Sequence, residues 1–218
     1  MYLSRMHLNT RRRGTAKLLS SPQAMHAATM SAFPPGAIGD GRVLWRVDRT
    51  PEATSLYLLS PTVPSFEHLQ EQAGWANRES WIIRDYAPVL GAVAIGRRFS
   101  FRLAANPVRV VTGEDGIKRR AAHVTAAQQL GWLLERADRL GVRFPDDPEG
   151  GSPSVAVTRR ETLRFKRGTR RVTVARSQYD GLLEVVDPDA LRAALTDGVG
   201  KAKAYGCGLL TLAPVSGS

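Results

Sequence analysis

The chain holds one cysteine, Cys207, in 218 residues, which excludes an internal disulfide and any cysteine-built zinc site and fits a reducing cytoplasm. Histidine is scarce as well. His7, His26, His68 and His123 are scattered without metal-ligand spacing, so neither a metal nor a cofactor is expected. No apolar run approaches the roughly 20 residues that cross a bilayer, and no signal-peptide core is visible, so a soluble protein without a membrane partner is expected. Acid is missing from the first stretch: nothing negative precedes Asp40, while Arg11, Arg12, Arg13 and Lys17 do. That bias resembles a mitochondrial transit peptide, but Tyr2–Leu8 reads better as an opening strand. The nucleotide motifs are incomplete too. Gly200-Lys201 is followed by Ala202 where a phosphate loop needs Ser or Thr, and Gly198-Val199-Gly200 lacks the third glycine of a dinucleotide loop. An ATP or NAD site is therefore not expected.

What is abundant is positive charge. The formal net charge is +11, and the lysines are only Lys17, Lys118, Lys166, Lys201 and Lys203. The surplus is thus mostly arginine, which suits bidentate phosphate contacts and base stacking, and it implies a polyanionic partner. Two places concentrate it. Arg159, Arg160, Arg164, Lys166, Arg167, Arg170 and Arg171 crowd into one segment opposed by Glu161 alone, more than a guarded edge strand requires. Near the end, Gly198, Gly200, Lys201 and Lys203 lie between a predicted helix and an apolar strand, where glycine lets the backbone pass close to a bulky anion.

A hydrophobic share of 43% suits one compact domain or two small ones. Tyr2–Leu8 is a predicted strand, followed by a basic turn. A helix from Pro22 to about Ala32 follows, with Ser21 as its cap and Phe33-Pro34-Pro35-Gly36 as its end. Strands at 43–49 and 55–60, a short helix at 65–73 and a strand at 81–86 complete a β-α-β-β-α-β order, the ferredoxin-like plan. Pro88 to Gly96 reads as a linker, and Phe99, Phe101 and Leu103 alternate with polar residues in the next strand. Leu130, Leu133, Leu134, Ala137 and Leu140 have helical spacing that Gly141 can end, and 146–153 reads as a loop. A hairpin turning at Arg167-Gly168, a tight turn at Asp180-Gly181, a helix capped by Asp187 and Pro188, and a last strand at 208–212 follow. The expected architecture is α+β: two tandem ferredoxin-like, RRM-like domains, 1–90 and 91–218, with antiparallel sheets and helices on one face.

Several strings then converge on one family. Met1-Tyr2-Leu3-Ser4-Arg5, Met25-His26, Phe99 through Pro107 with its Phe-Arg-Leu-Ala-Ala-Asn-Pro core, Leu183 through Pro188, and Gly198 through Pro214 occur in the order of the CasE family. The chain resembles these CRISPR-associated endoribonucleases of type I-E systems over nearly its whole length. The resemblance implies a protein that binds the CRISPR repeat stem-loop, cuts precursor RNA at its 3′ base, and stays with the mature crRNA and the other Cascade subunits. It further implies a metal-independent reaction in which the RNA 2′-hydroxyl attacks the adjacent phosphate, leaving a 2′,3′-cyclic phosphate and a 5′-hydroxyl.

His26 matches the family's catalytic histidine, and imidazole can exchange protons near neutrality. Many relatives carry a tyrosine three residues earlier, where this chain has Gln23, an amide that can orient by hydrogen bonding but cannot exchange a proton. Arg11, Arg12, Arg13 and Lys17 are candidates for holding the scissile phosphate, since the His26 helix has no lysine. The basic hairpin is the expected grip on the stem, with Gly198, Gly200, Lys201 and Lys203 adding contacts. The Gln23 departure keeps a second reading open, a catalytically weak or inactive RNA-binding subunit of the same fold. A basic ribosome-associated protein would explain the charge but not the ordered strings.

Overall fold

Apolar and polar residues alternate in β1 (Tyr2–Leu8), and Met6 and Leu8 are buried. The computed structural model describes residues 1–147 and 150–215, with Arg167 described by its backbone alone. Helices α1 (Arg13–Ser20) and α2 (Pro22–Met30) lead to β2 (Leu44–Arg49), β3 (Thr54–Ser60), α3 (Glu67–Ala73) and β4 (Trp81–Asp85). These strands form one antiparallel sheet in the order β4-β1-β3-β2. The short α4 (Ala87–Ala92) then crosses to β5 (Arg98–Ala105). A side hairpin of β6 (Val108–Thr112) and β7 (Lys118–Ala122) precedes α5 (Ala126–Leu134), α6 (Ala137–Leu140) and β8 (Val142–Arg143). The chain closes with β9 (Val155–Arg167), β10 (Arg170–Val185), α7 (Pro188–Asp197) and β11 (Leu210–Pro214).

The second sheet runs β11-β5-β10, with β8 and β9 both pairing along β10. Its strand order matches the first once β8 and β9 share one position, so the ferredoxin-like plan occurs twice. The first sheet lays Met6, Leu56, Leu58 and Trp45 against Leu18, Met25 and Leu69 of α1 to α3. The second packs Phe101, Leu103, Leu183 and Val185 against Trp132, Leu133, Leu191 and Leu195 of α5 and α7. Leu44, Leu59 and Tyr86 belong to that second core, which therefore continues across the junction of the sheets.

Five elements depart from the sequence-based expectation. The basic turn is the helix α1, although Gly14 and Thr15 are weak helix formers; packing decides it. Thr15 and Leu18 are buried, and a Cβ on Gly14 would lie 2.2 Å from the Gln72 carbonyl oxygen. The linker at 88–96 contains α4, whose first turn accepts Pro88. The single helix over 130–140 is two, since α5 ends at Glu135 and α6 restarts after Arg136. Asp180-Gly181 is no turn: β10 runs through it, and glycine is required because a Cβ would meet the Ser154 carbonyl oxygen at 2.2 Å. The β6–β7 hairpin carries no clear sequence signal because it buries little; Val110 is 64% exposed. Residues 148 and 149 of the expected 146–153 loop lie outside the described residues.

Arg46 of β2 ties the two sheets. Its side chain is 3% exposed; Nε and Nη2 donate to the Asp48 carboxylate at 2.6 and 3.0 Å. Nη1 donates to the carbonyls of Arg102 and Leu209 at 3.0 and 2.9 Å, and Nη2 also reaches Thr211 Oγ1 at 3.0 Å. Arg102 in turn pairs with Asp48 at 3.4 Å and Asp180 at 2.5 Å. Burial pushes the Asp180 carboxyl up, but hydrogen bonds from Arg102, Thr158 and Gln178 outweigh it and hold it below the ordinary value.

Removing one partner from such a buried network leaves a desolvated charge unpaired. Arg46→Ala is expected to cost about 3–5 kcal/mol in urea unfolding. Arg119→Ala, which breaks an exposed pair with Asp115, should stay within about 1 kcal/mol. Equal losses in the two variants would show that Arg46 is not a special tie.

Candidate active site and nucleic-acid interface

The Ser21 Oγ accepts from the Ala24 amide at 3.2 Å, and Pro22 occupies the first turn, so α2 starts where its sequence signals it. Met25 and Thr29 point into the core, which leaves His26 half-buried on the flank and Gln23 exposed one turn before it. The flank of α2 packs on a 3-10 turn at Lys203–Tyr205 within the glycine-rich loop. A helix of the first sheet and a loop of the second therefore meet at the histidine's helix.

That loop is held in shape by backbone geometry. Gly198, Gly200, Gly206 and Gly208 have φ of 77, 77, 76 and 93°, and Ala202 follows at 64°. A Cβ on Gly206 would lie 2.6 Å from the Trp45 ring, and one on Gly198 2.8 Å from Leu44. Close approach is thus made to the protein's own β2. Gly200 is exposed above Trp132, and Lys201 bridges to Asn106. The Lys203 ammonium is held below its ordinary pKa by burial and by the charges of Arg42, Lys201 and Arg139.

The period of two in β9 divides its cations. Arg160, Arg164 and Lys166 are on an exposed face, and Arg171 stands opposite Lys166 on β10. Arg159 lies on the other face with Glu161, Leu163 and Phe165, all half-buried, and Glu161 and Leu163 line a cleft with residues of α1, α2 and β2. The Phe165 ring meets Tyr205 edge-on at 4.7 Å, docking the hairpin on the same 3-10 turn. Glu161 receives Arg176 at 2.5 Å, so the acid interleaved in the basic run neutralises a neighbouring strand instead. Among the described residues, none of Arg159, Arg160, Arg164, Lys166, Arg170 and Arg171 is in an ion pair. Arg160 is anchored by donating to the Val124 carbonyl, and the Arg167 side chain lies outside the described residues.

Of the N-terminal cations, Arg11, Arg13 and Lys17 are exposed beside or on α1, which packs against α2. Arg12 is engaged with the fold. Its Nη1 donates to the carbonyls of Gln70 and Gly74 at 3.1 and 3.0 Å, capping the end of α3. His7 and His68 also have structural partners, whereas the buried His123 Nδ1 has no hydrogen-bond partner among the described residues. His7 Nδ1 bonds Ser55 at 3.0 Å, and burial with Arg5 and Arg78 pushes its pKa down; His68 Nε2 donates to the Ala28 carbonyl at 2.9 Å. Cys207 is buried, and burial pushes its thiol up to about 12, which removes thiolate chemistry near neutrality. Among the described residues, no group of three His, Cys, Asp or Glu side chains could hold a metal ion, and no helix is long and apolar enough to cross a membrane.

The result is a half-buried imidazole on a helix that packs against the turn of Lys203, with the basic hairpin docked on the same turn through Phe165. Such a surface can hold a polyphosphate backbone while a proton is moved at one phosphate. Sequence reading missed the arginines that crowd Lys203, Arg42 and Arg139, because they come from separate segments with no local run.

The chain is similar to known proteins over most of its length. The family model described as CRISPR associated protein matches residues 1–214. The chain is 33% identical to the CRISPR-associated endoribonuclease Cse3 of Thermus thermophilus, over 98% of this chain and 100% of that protein. It is 27% identical to the CRISPR system Cascade subunit CasE of Escherichia coli strain K12, over 56% of this chain and 60% of that one. The solved structure of Thermus thermophilus Cse3 bound to an RNA representing a pre-cleavage complex superposes with a TM-score of 0.82 at 30% identity, covering 98% of each chain.

Proposed function

The chain belongs to the CRISPR-associated protein family, and from that premise we propose that it is the endoribonuclease that processes CRISPR precursor RNA in a type I-E system. It cuts at the 3′ base of the repeat stem-loop and remains with the mature crRNA among the other Cascade subunits, in keeping with what the Cse3 and CasE relatives are named for. The observation that carries the reading is the position of α2. It packs on the 3-10 turn of Lys203–Tyr205, on which the hairpin also docks through Phe165, and among the described residues Arg159, Arg160, Arg164, Lys166, Arg170 and Arg171 are in no ion pair.

The chemistry proposed is internal transfer at phosphorus without a metal. The ribose 2′-oxygen forms a bond to the adjacent phosphorus and loses its proton, while the bond to the 5′-oxygen breaks and that oxygen gains one. The products are a 2′,3′-cyclic phosphate and a 5′-hydroxyl. His26 is the group assigned to proton transfer, since an imidazole can both take up and release a proton near neutrality. Gln23 orients, and its amide cannot supply the second proton transfer. Lys203 is the nearest loop cation to α2, and with Arg11, Arg13, Lys17 and Lys201 it forms the set from which charge on phosphorus is stabilised. The 1–90 segment thus carries the histidine, and 91–218 carries the hairpin with Arg159, Arg160, Arg164, Lys166, Arg167, Arg170 and Arg171 and the loop of Gly198 and Gly200. Gln23 favours one competing reading, in which the chain binds the repeat and cuts it slowly or not at all.

Cleavage is expected to persist in chelator and to stop with a single 2′-deoxy substitution immediately upstream of the cut. Loss of activity in chelator with retention on the deoxy substrate would overturn the mechanism. In single-turnover assays at saturating protein, His26→Ala should slow cleavage about a hundredfold or more with repeat affinity nearly unchanged, while Gln23→Tyr should equal or exceed wild type. Equal rates for wild type and His26→Ala would remove His26 from the site.

The two faces of β9 separate in a salt titration. Replacing Arg160, Arg164 and Lys166 together by alanine should lower the log-log salt slope of repeat binding by about 0.9 for each phosphate no longer neutralised, and Arg159→Ala should change it less. An unchanged slope in the triple variant would make the hairpin a solvated edge.

A further inference from the structure

Beside the glycine loop lies a cavity of about 440 Å³, walled by the β6–β7 hairpin, α5 to α7 and the loop itself. Arg109 and Arg120 enter it from the hairpin, Arg136 and Arg139 from the α5–α6 break, and Lys201 and Lys203 from the loop; the acid among its lining residues is Asp197 alone. Six cations from three segments converge, and they are answered by Asp197 in the lining and by Glu135, 3.9 Å from Arg136. Such crowding opposes folding unless an anion occupies the space.

The shape narrows the anion. The volume falls in the range of small-molecule sites, roughly 300–1,000 Å³, so it admits one or two nucleotides and excludes a duplex. Inside it the Arg136 guanidinium lies 4.1 Å from the centroid of the Trp132 ring and is fixed by donating to the Trp132 carbonyl at 2.5 Å. A guanidinium held over an aromatic ring offers a planar surface on which an unpaired base can stack, and the surrounding cations suit its phosphates. Lys203 connects the two places, since it lines the cavity and belongs to the turn packed against the His26 helix.

We infer that this cavity binds the single-stranded RNA flanking the repeat stem, separately from the stem grip on the β9–β10 hairpin. The inference rests on the proposed RNA-processing function and specifies which part of the RNA is held where. A flank leaving the stem base at the 3-10 turn passes Lys203 and enters the cavity, which would hold that strand in place across the cut.

The test uses three repeat RNAs: the bare stem-loop, the stem-loop with a 5′ single-stranded flank, and the stem-loop with a 3′ flank. Wild type should bind one flanked RNA about tenfold or more tighter than the bare stem at low salt, and the two flanks identify which side enters. The Arg109→Ala, Arg120→Ala, Arg139→Ala triple variant should bind the bare stem as wild type does and lose that gain to within about twofold. Its salt slope on the flanked RNA should fall by about 0.7 for each of the three cations removed. These side chains are exposed, and the corresponding triple lysine variant should restore the gain by restoring charge. No flank-dependent gain in wild type, or an undiminished gain in the triple alanine variant, overturns the cavity as the flank site. If wild type fails to bind even the bare stem, the RNA-processing reading falls and this inference with it.

Discussion

Three consecutive residues of β2 hold the molecule together, and each does so differently. Leu44 abuts Gly198, Trp45 abuts Gly206, and Arg46 sends its guanidinium to the carbonyls of Arg102 and Leu209. All three are buried, although a strand with one wet face would expose the middle one. The reason is that β2 is the edge of the first sheet and the seam to the second. A buried arginine costs desolvation free energy that only a full set of acceptors offsets, and Arg46 finds Asp48, two carbonyls and a hydroxyl. Such a seam tolerates little sliding, because each acceptor sits at a defined place.

The candidate site is built across that seam. His26 belongs to a helix of the first sheet, while the turn at Lys203–Tyr205 and the β9–β10 hairpin belong to the second. Phe165 and Tyr205 lock hairpin and turn together, so α2 faces both as one surface. The glycine loop serves this assembly through its left-handed backbone and its lack of Cβ atoms, which let Trp45 and Leu44 come close. Lys201 is thereby exposed and Lys203 held half-buried on a defined backbone, and such fixed placement is what positioning a phosphate requires.

Charge is partitioned along the same lines. The acids Asp48, Asp180, Glu161 and Glu184 neutralise arginines that hold strands together, namely Arg46, Arg102, Arg176, Arg98 and Arg143. What remains includes the cationic surfaces of the hairpin, the glycine loop and the cavity beside it, within a net charge of +11. Opposed like charges such as Lys166 and Arg171 destabilise the free hairpin and become favourable when a polyanion lies across them.

Elements governed by local rules were legible in the sequence. The Ser21-Pro22 start of α2, the Asp187-Pro188 start of α7, the alternation of Phe99, Phe101 and Leu103, and the β-α-β-β-α-β order are short-range signals, and the folded chain carries each of them. The candidate histidine was named from the short string Met25-His26, and α2 carries it on a half-buried flank. Elements stabilised by distant partners were not legible. Helix α1 depends on α3, Gly181 on Ser154, and the α5–α6 break on Arg136 folding back over Trp132. The sequence by itself determined the secondary-structure plan, the cationic surplus and the start of the helix that carries His26, since periodicity, caps and charge are properties of neighbouring residues. The tertiary structure alone decided which cations are consumed in ion pairs, which face of β9 stays open, and that Arg109, Arg120, Arg136 and Arg139 converge with Lys201 and Lys203. Those outcomes depend on contacts between residues far apart in the chain, which no local pattern encodes.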